Sequence, residues 1–202
     1  RFSESGVRLQ SDNPAVRRRA CQLLHAALRV EAQDQGGAVT VTDPEAVESI
    51  FASFGYERRS IALQLNLALV EEECCRSAFV RGVFLSGGYL SDPGKSYHLE
   101  LVTSHYNVSR QVMALLLDMG MAPGFLTRRG NYVLYYKDSS LIEDFLSAAG
   151  ATGAAMTLML SKVEKDLRNK VNRKVNCETA NLGKTVDAAA RQIAAIEKLR
   201  AA

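Results

Sequence analysis

Asn169, Asn172 and Asn176 stand at i, i+3 and i+7, one stripe of a helix, in a segment that also carries Lys170, Arg173, Lys174 and Lys184. Asparagine is a poor helix former, so three on one face is a local cost, tolerated for a function or for a buried polar network. On the first reading, amides and cations are offered to phosphates and base edges, which is the chemistry of nucleic-acid binding. On the second, the asparagines hydrogen-bond to backbone and tie the segment to the body. Arg128 and Arg129 beside Lys137, with Arg58 and Arg59 earlier, place further cations near two strand regions. A basic twisted sheet can lie on a duplex, and the same cations equally discourage edge pairing. Arg17, Arg18 and Arg19 read as a solvated helix start.

Other chemistries find no support. His25, His98 and His105 have no cysteine or acid at zinc spacing. No serine sits in a Gly-x-Ser-x-Gly setting. Gly82, Gly87 and Gly88 lack the Lys-Ser/Thr of a phosphate loop. Cys21, Cys74, Cys75 and Cys177 match no metal or redox spacing and read as reduced core thiols. The five methionines read as core filler. No catalytic residue, metal or cofactor is expected.

The elements that must position these groups follow from periodicity. Apolar residues at helical spacing run from Asn13-Pro14 to about Ala32, then Ala38 to Thr42 is a short strand. Asp43-Pro44 starts a helix through Val47, Ile50, Phe51 and Phe54 that Gly55 ends. Ile61 to Leu69 alternates strictly and predicts a half-buried strand. A helix over Cys74 to Ser86, a strand over Tyr97 to Thr103 and a helix over Val108 to Met119 follow. Phe125 to Arg128 and Tyr132 to Lys137 form a hairpin about Gly130-Asn131, and a last helix of the body ends at Gly150. An offset of 65 lays Val47, Ile50, Phe51, Phe54 and Gly55 on Val112, Leu115, Leu116, Met119 and Gly120. An offset of 55 lays Ala27 and Leu28 on Gly82 and Val83, so Gly82 is expected where two leading helices cross. Two α+β halves, 14–70 and 74–150, would then share a pseudo-twofold, or be unrelated stretches with similar spacing.

Beyond Gly150 the chain is helical. Met156, Leu160, Val163, Leu167 and Val171 line one face, Gly183 breaks the helix, and Thr185 caps the next, which carries Val186, Ala189, Ile193 and Ile196. Residues 162–202 hold ten Lys and Arg against five Asp and Glu, so the modest net charge of +3 hides a basic tail. With 202 residues, 47% hydrophobic and 23% charged, the chain is ordinary for a globular protein of one domain or two small lobes. Its most apolar run, Ile61 to Val70, is too short and polar to span a bilayer, and its polar start, opening on Arg1, has no leader segment. A cytoplasmic protein is expected, cut or processed at its start.

The segment Ala78-Phe79-Val80-Arg81-Gly82-Val83-Phe84-Leu85-Ser86-Gly87-Gly88, with Ser91-Asp92-Pro93 and Tyr97 to Glu100, resembles the WhiA family of bacterial regulators. Val171 to Thr185 resembles that family's most specific signature. The resemblance implies a degenerate LAGLIDADG homing-endonuclease-like body over 14–150 and a helical tail over 151–202 leading to a helix-turn-helix domain expected to be missing. It implies a DNA-binding, nucleoid-associated regulator of sporulation and cell division. The alternative is a module docking a sigma factor or co-regulator. A LAGLIDADG nuclease needs an acid near the end of each leading helix to hold divalent metal. The offset places Ala32 and Gly87 there, and neither side chain can bind one. Lys170, Asn172, Arg173, Lys174, Asn176, Lys184, Arg128 and Arg129 are the candidate DNA contacts.

Overall fold

The computed structural model of the chain describes residues 2–3, 6–56 and 64–201. They form two compact units, Arg1–Ala155 and Met156–Ala202. In the first, β1 (Phe2–Ser3) and β2 (Gly6–Gln10) form a hairpin that α1 (Pro14–Leu28) follows. β3 (Gln33–Asp34), β4 (Ala38–Val41) and α2 (Pro44–Ser53) complete the first half. A linker with a 3-10 helix (Leu67–Val70) leads to α3 (Glu73–Gly87). Then come β5 (Gly88–Leu90), β6 (Leu99–Thr103), α4 (Tyr106–Asp118), β7 (Gly124–Arg128), β8 (Asn131–Tyr136) and α5 (Ser139–Ala148). Both sheets are antiparallel and are ordered alike, β1-β2-β4-β3 and β5-β6-β8-β7.

The repeat is therefore real, but its frame differs from the one that spacing suggests. Val7 pairs with Val41 as Leu99 pairs with Tyr136. Gln33 pairs with Thr40 as Gly124 pairs with Tyr135. From β4 onward, adding 95 to a residue number gives its counterpart: Asp43 and Asp138 each cap a helix, and Gly55 and Gly150 each turn left-handed at φ 70 and 73. The buried residues Val39, Val41, Val47, Ile50 and Phe51 match Leu134, Tyr136, Ile142, Phe145 and Leu146, all buried. Tyr56 N–H returns to the Phe51 carbonyl at 2.9 Å, and Ala151 N–H to that of Leu146 at 2.8 Å, closing both helices the same way.

So α1 corresponds to α4 and α2 to α5, and the offsets of 55 and 65 are overturned. They matched because amphipathic helices that end in a left-handed glycine resemble one another. α3 has no counterpart among the described residues of the first half, and that half's sheet begins before residue 14. Ala32 lies beyond α1, which ends at Leu28 because Arg29 turns left-handed at φ 57. Gly82 is exposed, and a Cβ there would meet open space, so among the described residues it marks no helix crossing.

The alternating segment before α3 is not a strand where it is described; Arg58, Arg59 and Ile61 to Leu63 lie outside the described residues. The Gln111 side chain accepts from Leu65 N–H at 2.7 Å, taking the place a neighbouring strand would hold, and Asn66 caps the 3-10 helix through Ala68 N–H. Arg17 is not solvated: it is buried, its Nε 2.9 Å from Asp34, and it donates to the Ser11 carbonyl. Cys74 and Cys177 are exposed rather than core thiols, and Met156 and Met159 are exposed rather than filler.

The second unit lies on α6 (Thr152–Arg200), one continuous helix. Gly183 does not break it, and Thr185 is no cap, since its hydroxyl donates back to the Asn181 carbonyl at 2.9 Å. Its apolar stripe has the expected spacing but is exposed, Val163 and Val186 among others.

Phe145, fully buried with its ring tilted against those of Tyr136 and Phe84 at 5.9 and 6.1 Å, anchors the second half. Phe145→Ala should cost about 3–5 kcal/mol in a denaturant melt. Gly82→Ala should raise stability by roughly 0.5–1 kcal/mol, since the helix gains order and nothing clashes. A loss on Gly82→Ala would put that position in a packed crossing after all.

Candidate nucleic-acid interface

Lys170, Asn172, Arg173, Lys174, Asn176 and Lys184 are all exposed on α6. At about 100° per residue, the four cations fall within roughly 100° of arc, with the asparagines beside them and the apolar stripe on the remaining side. Lys174 lies 4.0 Å from Glu178 one turn on, a solvated pair that leaves its charge available.

Arg128 and Arg129 part company. Arg129 and Gly130 take left-handed conformations at φ 52 and 77, as a two-residue hairpin turn demands, and Arg129 is exposed there. Arg128 instead reaches across the sheet. Its guanidinium donates to both carboxylate oxygens of Glu100, at 2.6 and 3.2 Å. His98 Nε2 lies 2.8 Å from the same carboxylate. The register puts Glu100, Tyr135 and Arg128 on the face opposite Tyr132, Leu134 and Tyr136, whose contacts with Tyr106 and Phe145 place the helices on the other side. Arg128 is thus committed to an ion pair, a partner its sequence position does not reveal. A lone glutamate between Leu99 and Leu101 was the available signal, since a carboxylate in an apolar strand needs a partner.

Burial opposes the charge of Glu100, but hydrogen bonds, first from Arg128 and then from His98, hold its carboxyl below the ordinary value of 4.5. A carboxyl depressed in the folded state stabilises it above that ordinary value, and the gain is lost as pH falls through the folded value. The chain should therefore lose stability on acidification below about pH 4.5, and Glu100→Gln should flatten that part of the curve in melts taken across pH.

At the end of α3, Gly87 carries no oxygen ligand, and a Cβ there would press into the Val102 carbonyl oxygen of β6. Among the described residues no group of three His, Cys, Asp or Glu is placed to hold a metal ion. Gly87→Asp should cost about 1–3 kcal/mol by overpacking. Its melting temperature should not rise with magnesium; a rise would mean that the site can be rebuilt by one carboxylate.

The chain matches two family profiles, the WhiA LAGLIDADG-like domain over residues 76–168 and the WhiA C-terminal HTH domain over residues 171–202. The second corrects the expectation that the helix-turn-helix domain is missing, and Arg173, Lys174 and Lys184 of α6 lie within that match. The chain is 34% identical to "Probable cell division protein WhiA" of Alkaliphilus metalliredigens (strain QYMF), over 95% of this chain and 65% of the relative. It is 47% identical to the protein of the same name from Ruminiclostridium cellulolyticum, over 77% of this chain and 50% of the relative. It thus spans less than two thirds of these relatives. The crystal structure of full-length DUF199/WhiA from Thermatoga maritima shares its fold, with a TM-score of 0.67 at 24% identity over 96% of this chain and 65% of that one. Among the described residues no helix is long and apolar enough to cross a membrane.

Proposed function

The chain belongs to the WhiA family, and on that premise we propose that it is part of a DNA-binding transcription regulator of sporulation and cell division, acting at the nucleoid. Its LAGLIDADG-like body is a non-catalytic platform, because Gly87 supplies no carboxylate and the Val102 carbonyl closes the space beside it. The observation that carries the DNA reading is the exposed basic face of α6, of which Arg173, Lys174 and Lys184 lie inside the helix-turn-helix match. Lys170, Arg173, Lys174 and Lys184 are the phosphate contacts, which position the protein, and Asn172 and Asn176 beside them are available to base edges.

A second reading, docking of a sigma factor or co-regulator, is favoured by an apolar groove of about 590 Å³ on the first sheet, lined by Val7, Leu9, Leu24, Ile50 and Phe54. Binding through α6 is salt-dependent, whereas a protein held in that groove is not.

Each phosphate contact releases condensed counterions, so Arg173→Ala should weaken binding to specific and random duplexes alike and lower the log–log salt slope by about 0.9. Asn176→Ala should leave the melting curve unchanged and relax sequence preference by roughly 1–3 kcal/mol if its amide makes a bidentate base contact. An Arg173→Ala chain with an unaltered slope would remove α6 from the interface.

A further inference from the structure

The outer face of the second sheet carries four bases within one neighbourhood, and it disposes of them unevenly. Arg128 is half exposed, yet its fork is filled by Glu100, which is nearly buried with its side chain 11% accessible. His98 bonds to the same carboxylate. The Lys137 ammonium lies over the Tyr135 ring, 5.4 Å from its centroid. Arg129 alone stands out at the hairpin turn. Without Glu100 this face would present a guanidinium fork, an imidazole, a lysine and an arginine on a twisted sheet, the arrangement that suits a phosphate backbone.

A carboxylate and a phosphate make the same bidentate demand on arginine. A phosphate approaching Arg128 must displace a carboxylate that is already desolvated and doubly bonded. Such displacement would leave Glu100 charged and buried without its cation, which costs more than one phosphate contact returns.

We propose that Glu100 is an internal phosphate mimic, whose occupation of the Arg128 fork keeps the outer face of the second sheet off nucleic-acid phosphates. This rests on the reading of the chain as DNA-binding. It assigns the salt-sensitive contacts to other cations and makes the sheet face a masked site that one substitution uncovers.

The test is the salt dependence of binding to a random-sequence duplex. Glu100→Gln should steepen the log–log slope by about 0.9 and raise affinity at low salt. Glu48→Gln, which makes the same charge change at an exposed position on α2, should leave the slope alone. The double variant Glu100→Gln with Arg128→Ala should return to the wild-type slope. In the unmodified chain, the Nε–Hε resonance of Arg128 should stay in place during titration with the duplex, a readout that needs no variant to fold. A shifted Arg128 resonance, or a Glu100→Gln slope equal to that of wild type, overturns the proposal. If Arg173→Ala leaves binding unaltered while Glu100→Gln still steepens the slope, the α6 assignment fails and the mask stands.

Discussion

An antiparallel sheet with one apolar face must have that face covered, and this requirement shapes both halves of the body. Val39 and Val41 in the first sheet, and Leu134 and Tyr136 in the second, point to the side where the following helix returns. The return is built the same way twice: a capping aspartate two residues after the strand, a trio of buried apolar residues at i, i+3 and i+4, and a left-handed glycine. Each fully buried Ile, Phe or Val contributes about 1.5–3 kcal/mol, so the corner dominates the packing of each half.

Coverage is unequal between them. In the second half α3 completes it: Phe84 reaches Phe145, and Arg81 Nε donates to the Ala149 carbonyl at 2.7 Å, satisfying the end of α5. In the first half the matching carbonyl, that of Phe54, accepts from the Asn66 side chain of the linker at 3.4 Å. Among the described residues, the region beside Ile50 is left as an apolar groove. The same linker thus replaces α3 as a cap without replacing it as a cover, because one asparagine can satisfy a carbonyl but cannot bury a sheet.

Electrostatics divide the molecule in a similar way. On the second sheet, a buried carboxylate binds the cations that its neighbours offer, and burial is what makes that pairing obligatory. On α6, Lys170, Arg173, Lys174 and Lys184 are exposed, and the Lys174–Glu178 pair is solvated, so these cations keep their charge for a ligand. Both sets look alike as residue types. What separates Arg128 from Arg173 is a glutamate 28 residues away in one case and open solvent in the other.

Local signals in the sequence determined most of the helices and the strands β4, β6, β7 and β8, but not the short β5. Asp43-Pro44, Gly55, Gly130 and Gly150 act through backbone conformations that depend on a few neighbours, so their effects can be read without a fold. The family signature around Gly87 and across Val171 to Thr185 was equally local. Tertiary structure alone decided the frame of the repeat, because amphipathic helices match one another at several offsets and only strand order and register distinguish them. It decided that Gln64 to Asn66 is not a strand, since a side chain from α4 takes the hydrogen bond a neighbour strand would make. It decided that α6 runs through Gly183, an interruption worth about 1 kcal/mol that a long helix absorbs. And it decided which cations are spent and which are free to bind, because ion pairing depends on distance in space, a quantity that spacing along the chain does not contain.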